Sequence, residues 1–414
     1  MVVGADAAGM SAASQARKRR GPEDLHITAF ERGRAASYSA CGIPYWISGA
    51  VGSEAELIAR TAEQHRANGI DLRLCTEVTG IDLDRREVSW RSAEGSGTEP
   101  FDSLVYATGS VPMRPPVPGI DAEGVYGVQV LDDGADVLAA LERPGVRRAV
   151  VIGGGYIGLE MAEAMKVRGL EVTVVDRSAT PVGTFDPDVG EFIAEAVRGM
   201  GIELVLSDGV AAIGTTDGRA DCVLTGSGRE LPADLVVLGL GVRPNVRLAE
   251  QAGIPLGTSG GVAVDARMRT QVEGVWSAGD CVESVHRVSG QRVVVALGTH
   301  ANKQGRVVGV NLGGGYSTFP GVIGTAVTKV CDLEVARTGL SEQEAEAAGF
   351  SFITAYVDST TKAGYFPGAI WNDMSVDEVL GLDLSYAPPF SPVWDPVLIA
   401  ARKAFEAVEA DTRS

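Results

Sequence analysis

Twice in 414 residues a short apolar strand runs into a glycine-rich turn, a helix, and a second strand that closes on an acid. This repetition predicts an α/β fold with two Rossmann-like, parallel-sheet dinucleotide-binding domains. Beyond Gly313-Gly314-Gly315 the pattern changes to alternating, strand-like segments around a helix, which predicts a further α+β domain from Gly313 to Ser414. At about 150 residues per domain the length suits this division.

The first unit opens at Met1-Val2-Val3, a strand that starts abruptly, as though one or two residues preceded it. Gly4-Ala5-Asp6-Ala7-Ala8-Gly9 is the turn, Met10 to Arg20 the helix, and Gly21-Pro22 its break. A second strand, His26 to Phe30, ends at Glu31, with Arg32 beside it. Bare backbone at such a turn can approach a pyrophosphate, and the helix N-terminus offers N–H groups to it. Gly4, Ala7, Ala8 and Gly9 are therefore the expected phosphate cradle. Glu31, with Arg32, is expected at an adenosine ribose. Asp6 stands where a second glycine is usual, so its carboxylate would sit close to a bound phosphate unless the side chain turns away.

The second unit repeats the order. Arg148 to Ile152 is the strand, Gly153-Gly154-Gly155-Tyr156-Ile157-Gly158 the turn, Leu159 to Arg168 the helix, and Glu171 to Val175 a strand ending at Asp176. Glu31 follows Gly4 by 27 residues and Asp176 follows Gly153 by 23, both near the usual ~20. Two such units imply two dinucleotides. Asp176 favours NADH, because a carboxylate repels a 2′-phosphate, while Arg177 and Ser178 leave NADPH open. Thr215 to Arg229 is rich in Gly and Asp and reads as hairpin turns. In the last domain, Val322 to Val330 and Ser351 to Val357 read as antiparallel strands, with a helix from Ser341 to Ala348.

Composition narrows the partners. A net charge of −18 argues against nucleic acid or an anionic membrane, while still allowing a local basic pocket for a phosphorylated small molecule. No apolar run is long enough to span a bilayer, and the N-terminus lacks a charged leader. The five cysteines are scattered without CxxC or zinc-like spacing, so neither a disulfide framework nor a metal site is expected, and a cytoplasmic location follows.

Three further segments complete a recognisable set. Ala107-Thr108-Gly109-Ser110 follows the strand Ser103 to Tyr106. Gly239-Leu240-Gly241-Val242-Arg243-Pro244-Asn245 follows Asp234 to Leu238, and Val275-Trp276-Ser277-Ala278-Gly279-Asp280 is a strand ending in Gly-Asp. With these the chain strongly resembles the flavin-dependent pyridine nucleotide–disulfide oxidoreductases over nearly its whole length. The resemblance implies a glutathione-reductase-like architecture. Residues 1–112 and 242–312 would bind FAD, residues 113–241 NAD(P)H, and residues 313–414 would form the interface of a homodimer. It also implies that Asp280, beside Gly279, bonds the flavin ribitol, with Gly109 and Gly241 at the cofactor sites. Tyr156 would shield the flavin when nicotinamide is absent, and Glu160 would touch the nicotinamide ribose.

One cysteine stands out. Ser37-Tyr38-Ser39-Ala40-Cys41-Gly42-Ile43-Pro44-Tyr45-Trp46 lies ten residues past Glu31 and lacks the second cysteine of the glutathione-reductase-like members. The Cys-Gly-Ile-Pro-Tyr run is similar to the coenzyme A disulfide reductases of the single-cysteine branch. A lone Cys41 can cycle between thiolate and mixed disulfide when the partner thiol is a small molecule, and a helix N-terminus with a nearby flavin is expected to stabilise the thiolate. NADH oxidases and peroxidases share this branch and place a histidine where this chain has Ala7, so reduction of O₂ or peroxide is the alternative reading. The resemblance further implies that Tyr386, and Tyr365 or the neighbouring Phe366, approach the partner subunit's cysteine. Coenzyme A is the expected further ligand, with Lys303, Arg19 and Arg20 as candidates for its phosphates. Cys75, Cys222, Cys281 and Cys331 read as ordinary packing residues. Gly364-Tyr365-Phe366-Pro367-Gly368-Ala369 runs at once into Ile370-Trp371-Asn372-Asp373-Met374, where relatives have further strands. The sequence is therefore expected to omit residues between Ala369 and Ile370.

Overall fold

The structure, a computed structural model, describes residues 1–352 and residue 354. Tyr365, Tyr386 and the Ala369–Ile370 junction lie outside the described residues, as does most of the expected strand from Ser351 to Val357. The helices used below are α1 (Ala7–Arg19), α2 (Ile43–Ser48), α3 (Ala62–Ala67), α4 (Leu131–Leu141), α5 (Tyr156–Val167), α6 (Pro187–Gly199), α7 (Arg247–Ala252) and α8 (Gly298–Leu312). None of the described helices is long and apolar enough to cross a membrane.

Two five-stranded parallel sheets carry the molecule. The first runs Val275–Ser277, Leu104–Tyr106, Val2–Val3, Ile27–Phe30, Ile70–Arg73. The second runs Glu203–Val205, Glu171–Val175, Arg148–Ile152, Leu235–Leu238, Val125–Gly127. Their inner strands are runs of mostly buried apolar residues, as a sheet covered on both faces requires, while edge strands such as Ile70–Arg73 and Glu203–Val205 are only partly buried. In each sheet the strand before the glycine turn is central. The acid-ending strand lies on one side and a later strand on the other, which creates a switch point at the carboxyl edge, where open α/β sheets bind ligands. Each unit also carries a three-stranded antiparallel sheet, Glu77–Asp82 with Glu87–Ser92 and Gly95–Pro100, and Val210–Thr216 with Arg219–Thr225 and Glu230–Pro232. The second of these accounts for the hairpin reading of Thr215 to Arg229. The chain passes between the units through one antiparallel pair, Ser110–Pro112 against Val242–Pro244.

Both glycine-turn helices begin earlier than the sequence reading placed them, at Ala7 and Tyr156, because the turn residues themselves adopt helical geometry. Past Gly315 the expected strand Val322 to Val330 is shorter, Ala326–Val330. It pairs with Leu333–Arg337, a strand the sequence reading missed, through a turn at Cys331 and Asp332.

The cores follow the sheets, with one exception. Val2, Phe30, Leu104 and Val275 share a cluster with residues of α1 and α8. Val151, Leu159, Met161 and Leu235 form a second. Helix α2 follows immediately after Cys41, yet its Ile43 and Ile47, both fully buried, belong to the second cluster. Each such side chain contributes roughly 1.5–3 kcal/mol on burial.

Candidate active site

Strand register assembles the site. Val3 lies opposite both Phe30 and Tyr106, so Gly4, Glu31 and Ala107 emerge together at the edge of the first sheet. Ile152 lies opposite Val175 and Leu238, so Gly153, Asp176 and Gly239 emerge together in the second. Gly4 has φ +95° and Gly153 φ +105°, a region that disfavours side chains. A Cβ on Gly4 would lie 2.1 Å from the Ala107 carbonyl oxygen, and one on Gly153 2.4 Å from that of Gly239. At Gly9 and Gly158 a Cβ would lie 1.9 Å from the carbonyl oxygens of Gly4 and Gly153. The two turns thus obey the same three constraints.

The acids are held in matching ways. Glu31 accepts from the backbone N–H groups of Ala5 (2.9 Å) and Gly33 (2.8 Å). Asp176 accepts from those of Gly154 (2.5 Å) and Ser178 (2.7 Å). Each carboxylate therefore braces its own glycine turn, a role the sequence reading did not assign. Neither α1 nor α5 has an acidic residue in its first turn or a side-chain cap, so their leading N–H groups suit a pyrophosphate. Gly109 and Gly241 have positive φ and border open space. A cavity of about 580 Å³ lined by Gly4, Glu31, Arg32, Thr108 and Arg243 continues the first cradle. Its neighbour of about 660 Å³ shares Glu31 and Arg32. These features fit one dinucleotide at each turn.

Asp280 follows the strand Val275–Ser277 at the same edge, where Ser277 faces Tyr106. It accepts from the Ser110 hydroxyl at 3.2 Å, and the Gly279 N–H donates to Gln304 of α8 at 2.8 Å. Burial raises the Asp280 carboxyl to about 6. In the second unit Tyr156 opens α5, accepts from the Thr184 hydroxyl at 3.2 Å, and meets the Phe185 ring edge-on. Ile157, Gly158 and then Glu160 follow on the same helix. Burial, with Glu163 adding a like charge, raises Glu160 to about 8.

Cys41 sits in a short 3₁₀ turn, Ala40–Gly42, that leads directly into α2. The residue is solvent-accessible yet crowded by protein. Desolvation pushes its thiol up to about 12, and the carboxylates of Glu160, Asp280 and Asp6 add to the effect. Those three acids come from the second helix, the Gly-Asp strand end and the first glycine turn. Cys41 is therefore where the three cofactor motifs meet. The sequence reading expected the helix N-terminus and a flavin to favour thiolate. The protein's own groups do the reverse.

Of the two placements open to Asp6, the structure shows the one that turns away from the cradle. Its carboxylate accepts from the Tyr38 N–H at 3.2 Å and so ties the first turn to the loop of Cys41. It also lines a groove of about 260 Å³ between α1, that loop and α8, together with Lys18, Ser37, Arg60, Asn302 and Arg306. Sequence reasoning missed this groove, because its walls are nearly 300 residues apart. Ser11 donates to Asn302 at 2.7 Å across it. The basic residues named from sequence are placed otherwise: Lys303 is buried on α8, and neither Arg19 nor Arg20 lines the groove. Among the other cysteines, Cys75 departs from the packing role, since it is exposed in a left-handed turn after its strand.

Two glycine-turn cradles facing one accessible thiol fit a flavin- and nicotinamide-dependent oxidoreductase. Comparison with known proteins agrees. The family model described as pyridine nucleotide-disulphide oxidoreductase matches residues 1–305, and the chain belongs to that family. FAD and NAD(P)H are its cofactors. The chain is 36% identical over 439 aligned positions to an NAD(P)H sulfur oxidoreductase (CoA-dependent) of Pyrococcus abyssi, covering 97% of each protein. It is 32% identical to an NADH oxidase of Methanocaldococcus jannaschii over 98% of each. Among solved structures, an NAD-dependent persulfide reductase from A. fulgidus matches with a TM-score of 0.84 and 34% identity, over 99% of this chain and 83% of that one.

Proposed function

We propose that this enzyme takes reducing equivalents from NAD(P)H and reduces coenzyme A disulfide or a coenzyme A persulfide at Cys41. The observation that carries the reading is the convergence of Asp6, Asp280 and Glu160 on one accessible thiol. The groove beside it supports a coenzyme A substrate. Lys18, Arg60 and Arg306 offer cations to phosphates, and Ser37, Ser39 and Asn302 offer hydrogen bonds. The names of the relatives from Pyrococcus and A. fulgidus point to the same substrate class.

Residues 1–112 and 242–312 would form the FAD domain, with Gly4, Ala7, Ala8 and Gly9 at the pyrophosphate, Glu31 and Arg32 toward the adenosine, and Gly109, Gly279 and Asp280 along the flavin arm. Residues 113–241 would bind NAD(P)H through Gly153, Gly155, Tyr156, Ile157 and Gly158, with Glu160 at the nicotinamide, Asp176 at the adenosine ribose, and Gly241 at the domain's end. Bound FAD supplies the passage of an electron pair from NAD(P)H to sulfur. The chain's part is to hold Cys41 at the meeting point, seat the disulfide in the groove, and keep nicotinamide on the α5 side. Residues 313–414 would form the interface of a homodimer, with Tyr386 and Tyr365 reaching the partner's cysteine. The protein would act in the cytoplasm.

Rapid mixing of NADH-reduced enzyme with coenzyme A disulfide tests the function. Fast flavin reoxidation, with a much slower reaction with air-saturated buffer, is expected. Reoxidation by O₂ alone would replace the reading with the NADH oxidase named among the relatives. Ala7, in the position of that branch's histidine, speaks against that outcome. Light scattering tests the dimer, and a monomer at working concentration would remove the shared-site tyrosines from the account.

A further inference from the structure

Breaking an alkyl disulfide requires more than a nucleophile. Thiol–disulfide exchange is faster when the departing thiol is more acidic, and an alkyl thiol near 8.5 leaves reluctantly as a thiolate. A proton donor within the groove lowers that barrier, typically by a factor of 10²–10⁴ for a well-placed acid.

The structure narrows the donor to one residue. The groups that line the groove and can titrate are Asp6, Lys18, Tyr38, Arg60, His65 and Arg306. The carboxylates that act on Cys41 are Glu160, Asp280 and Asp6. Among the described residues, Asp6 alone belongs to both sets. Glu160 lies on α5, on the nicotinamide side, and Asp280 is engaged by the Ser110 hydroxyl. His65 is buried, hydrogen-bonds Ser37 at 2.9 Å, and is held neutral, lowered to about 4 by burial and Arg60. The Tyr38 phenol is pushed well above its ordinary value. Asp6 is also fixed to the loop of Cys41 by the Tyr38 N–H, three residues before the thiol.

We infer that Asp6 is the proton donor to the thiol released when Cys41 attacks a disulfide in this groove. The inference rests on the disulfide reductase reading above. In the step, the Sγ of Cys41 in its thiolate form, as left when its previous mixed disulfide is reduced, bonds to one sulfur of the disulfide and the S–S bond breaks. The departing sulfur keeps the bonding pair, takes the proton from Asp6 and leaves as a thiol. Asp6 is then reprotonated from water in the groove. The exchange involves no net redox change, since the electrons that later open the Cys41 mixed disulfide come from NAD(P)H. Desolvation, with Glu31 and Asp280 as like charges, raises Asp6 to about 7, so a large fraction carries the proton at neutral pH. This also explains the residue in the glycine turn. A glycine there cradles a phosphate equally well but supplies no acid.

The test compares two disulfides in Asp6→Asn, which keeps an oxygen for the Tyr38 N–H. Coenzyme A disulfide releases an alkyl thiol. Dithiobis-nitrobenzoate releases an aryl thiol acidic enough to leave unassisted. The ratio of their second-order reoxidation rates should fall about 100-fold in Asp6→Asn and recover in Asp6→Glu. A merely structural role would slow both substrates together and leave the ratio alone, and that result overturns the inference. Should Asp6→Asn fail to hold FAD, the same ratio is measured by mass spectrometry of the Cys41 mixed disulfide, a step that needs no flavin. A wild-type enzyme that reacts with neither disulfide overturns the substrate reading as well. Wild-type reactivity with an unchanged ratio in Asp6→Asn overturns Asp6 alone.

Discussion

At Cys41 the local field and the chemistry oppose each other. A thiol pushed up to about 12 by burial and three carboxylates holds its proton at neutral pH, yet thiolate is the form that attacks. The charge must therefore be stabilised by what binds beside it. In flavin-free protein at pH 7, iodoacetamide should alkylate Cys41 at least about tenfold more slowly than exposed Cys75, one ordinary step of thiol acidity. At pH 9, where Glu160 is ionised, Glu160→Gln removes the leading carboxylate and should speed Cys41 selectively. Equal rates for the two cysteines in the unmodified protein would mean that the field described here is too strong. The two glycine turns make a paired prediction. A Cβ at Gly158 would meet the Gly153 carbonyl at 1.9 Å, and one at Gly9 the Gly4 carbonyl at 1.9 Å. Gly158→Ala should keep its flavin but lose roughly 100-fold or more in reduction by NADH, while dithionite still reduces it. Gly9→Ala should lose the flavin itself. Yellow Gly9→Ala protein with normal NADH kinetics would show that the turns are assigned to the wrong cofactors.

At the scale of elements, helix α2 decides how firmly Cys41 is held. It follows the first unit's sheet in sequence but packs into the second unit's core. Two features seat it. Gly134 of α4 lets it approach so closely that a Cβ there would lie 2.9 Å from both Ile43 and Trp46. Arg168, at the end of α5, donates to the Ile47 carbonyl at 2.6 Å. Gly134→Val should push α2 outward and cut disulfide reductase turnover at least about tenfold with flavin content unchanged, because a misplacement on the order of 1 Å costs that much or more. Full turnover in Gly134→Val would show that α2 tolerates displacement. This helix also marks the limit of what the sequence could show. Glycine turns, acids and apolar strands are local patterns, and both glycine turns with their closing acids were legible. Ile43 and Ile47, four apart, announce one buried face, but nothing local says which sheet covers it. The groove beside Cys41 was hidden for the same reason, since Lys18, Arg60 and Arg306 come from three distant segments. Leu333–Arg337 was missed because its strand is short and its turn, Cys331-Asp332, lacks glycine, although Cys331 has φ +54°. For Asp6 the sequence left open whether the side chain turns away, because its destination at Tyr38 depends on how the loop folds back.

For the whole molecule, acidity is concentrated where it costs most. The chain carries a net charge of −18, and three of its carboxyls, Asp6 at about 7, Asp280 at about 6 and Glu160 at about 8, are held above their ordinary range by burial near Cys41. Each is therefore bound to its proton more tightly in the folded chain than in the unfolded one, where carboxyls titrate near 4. The stability they contribute is fully present below about 4 and is lost as pH rises through the folded values, between about 6 and 8. Flavin-free protein should accordingly melt at a lower temperature at pH 8.5 than at pH 6. General self-repulsion of a −18 chain acts in the same direction, so the two causes must be separated. Salt screens exposed charges over a few ångströms at high concentration but reaches buried ones poorly. The slope of melting temperature against pH should therefore persist in about 1 M salt. It should flatten in Asp280→Asn and Glu160→Gln, and remain in Glu63→Gln, whose carboxylate is on the surface. A slope that vanishes in salt, or one that all three variants reduce equally, would assign the pH dependence to net charge rather than to the buried acids at the junction of the two cofactor sites.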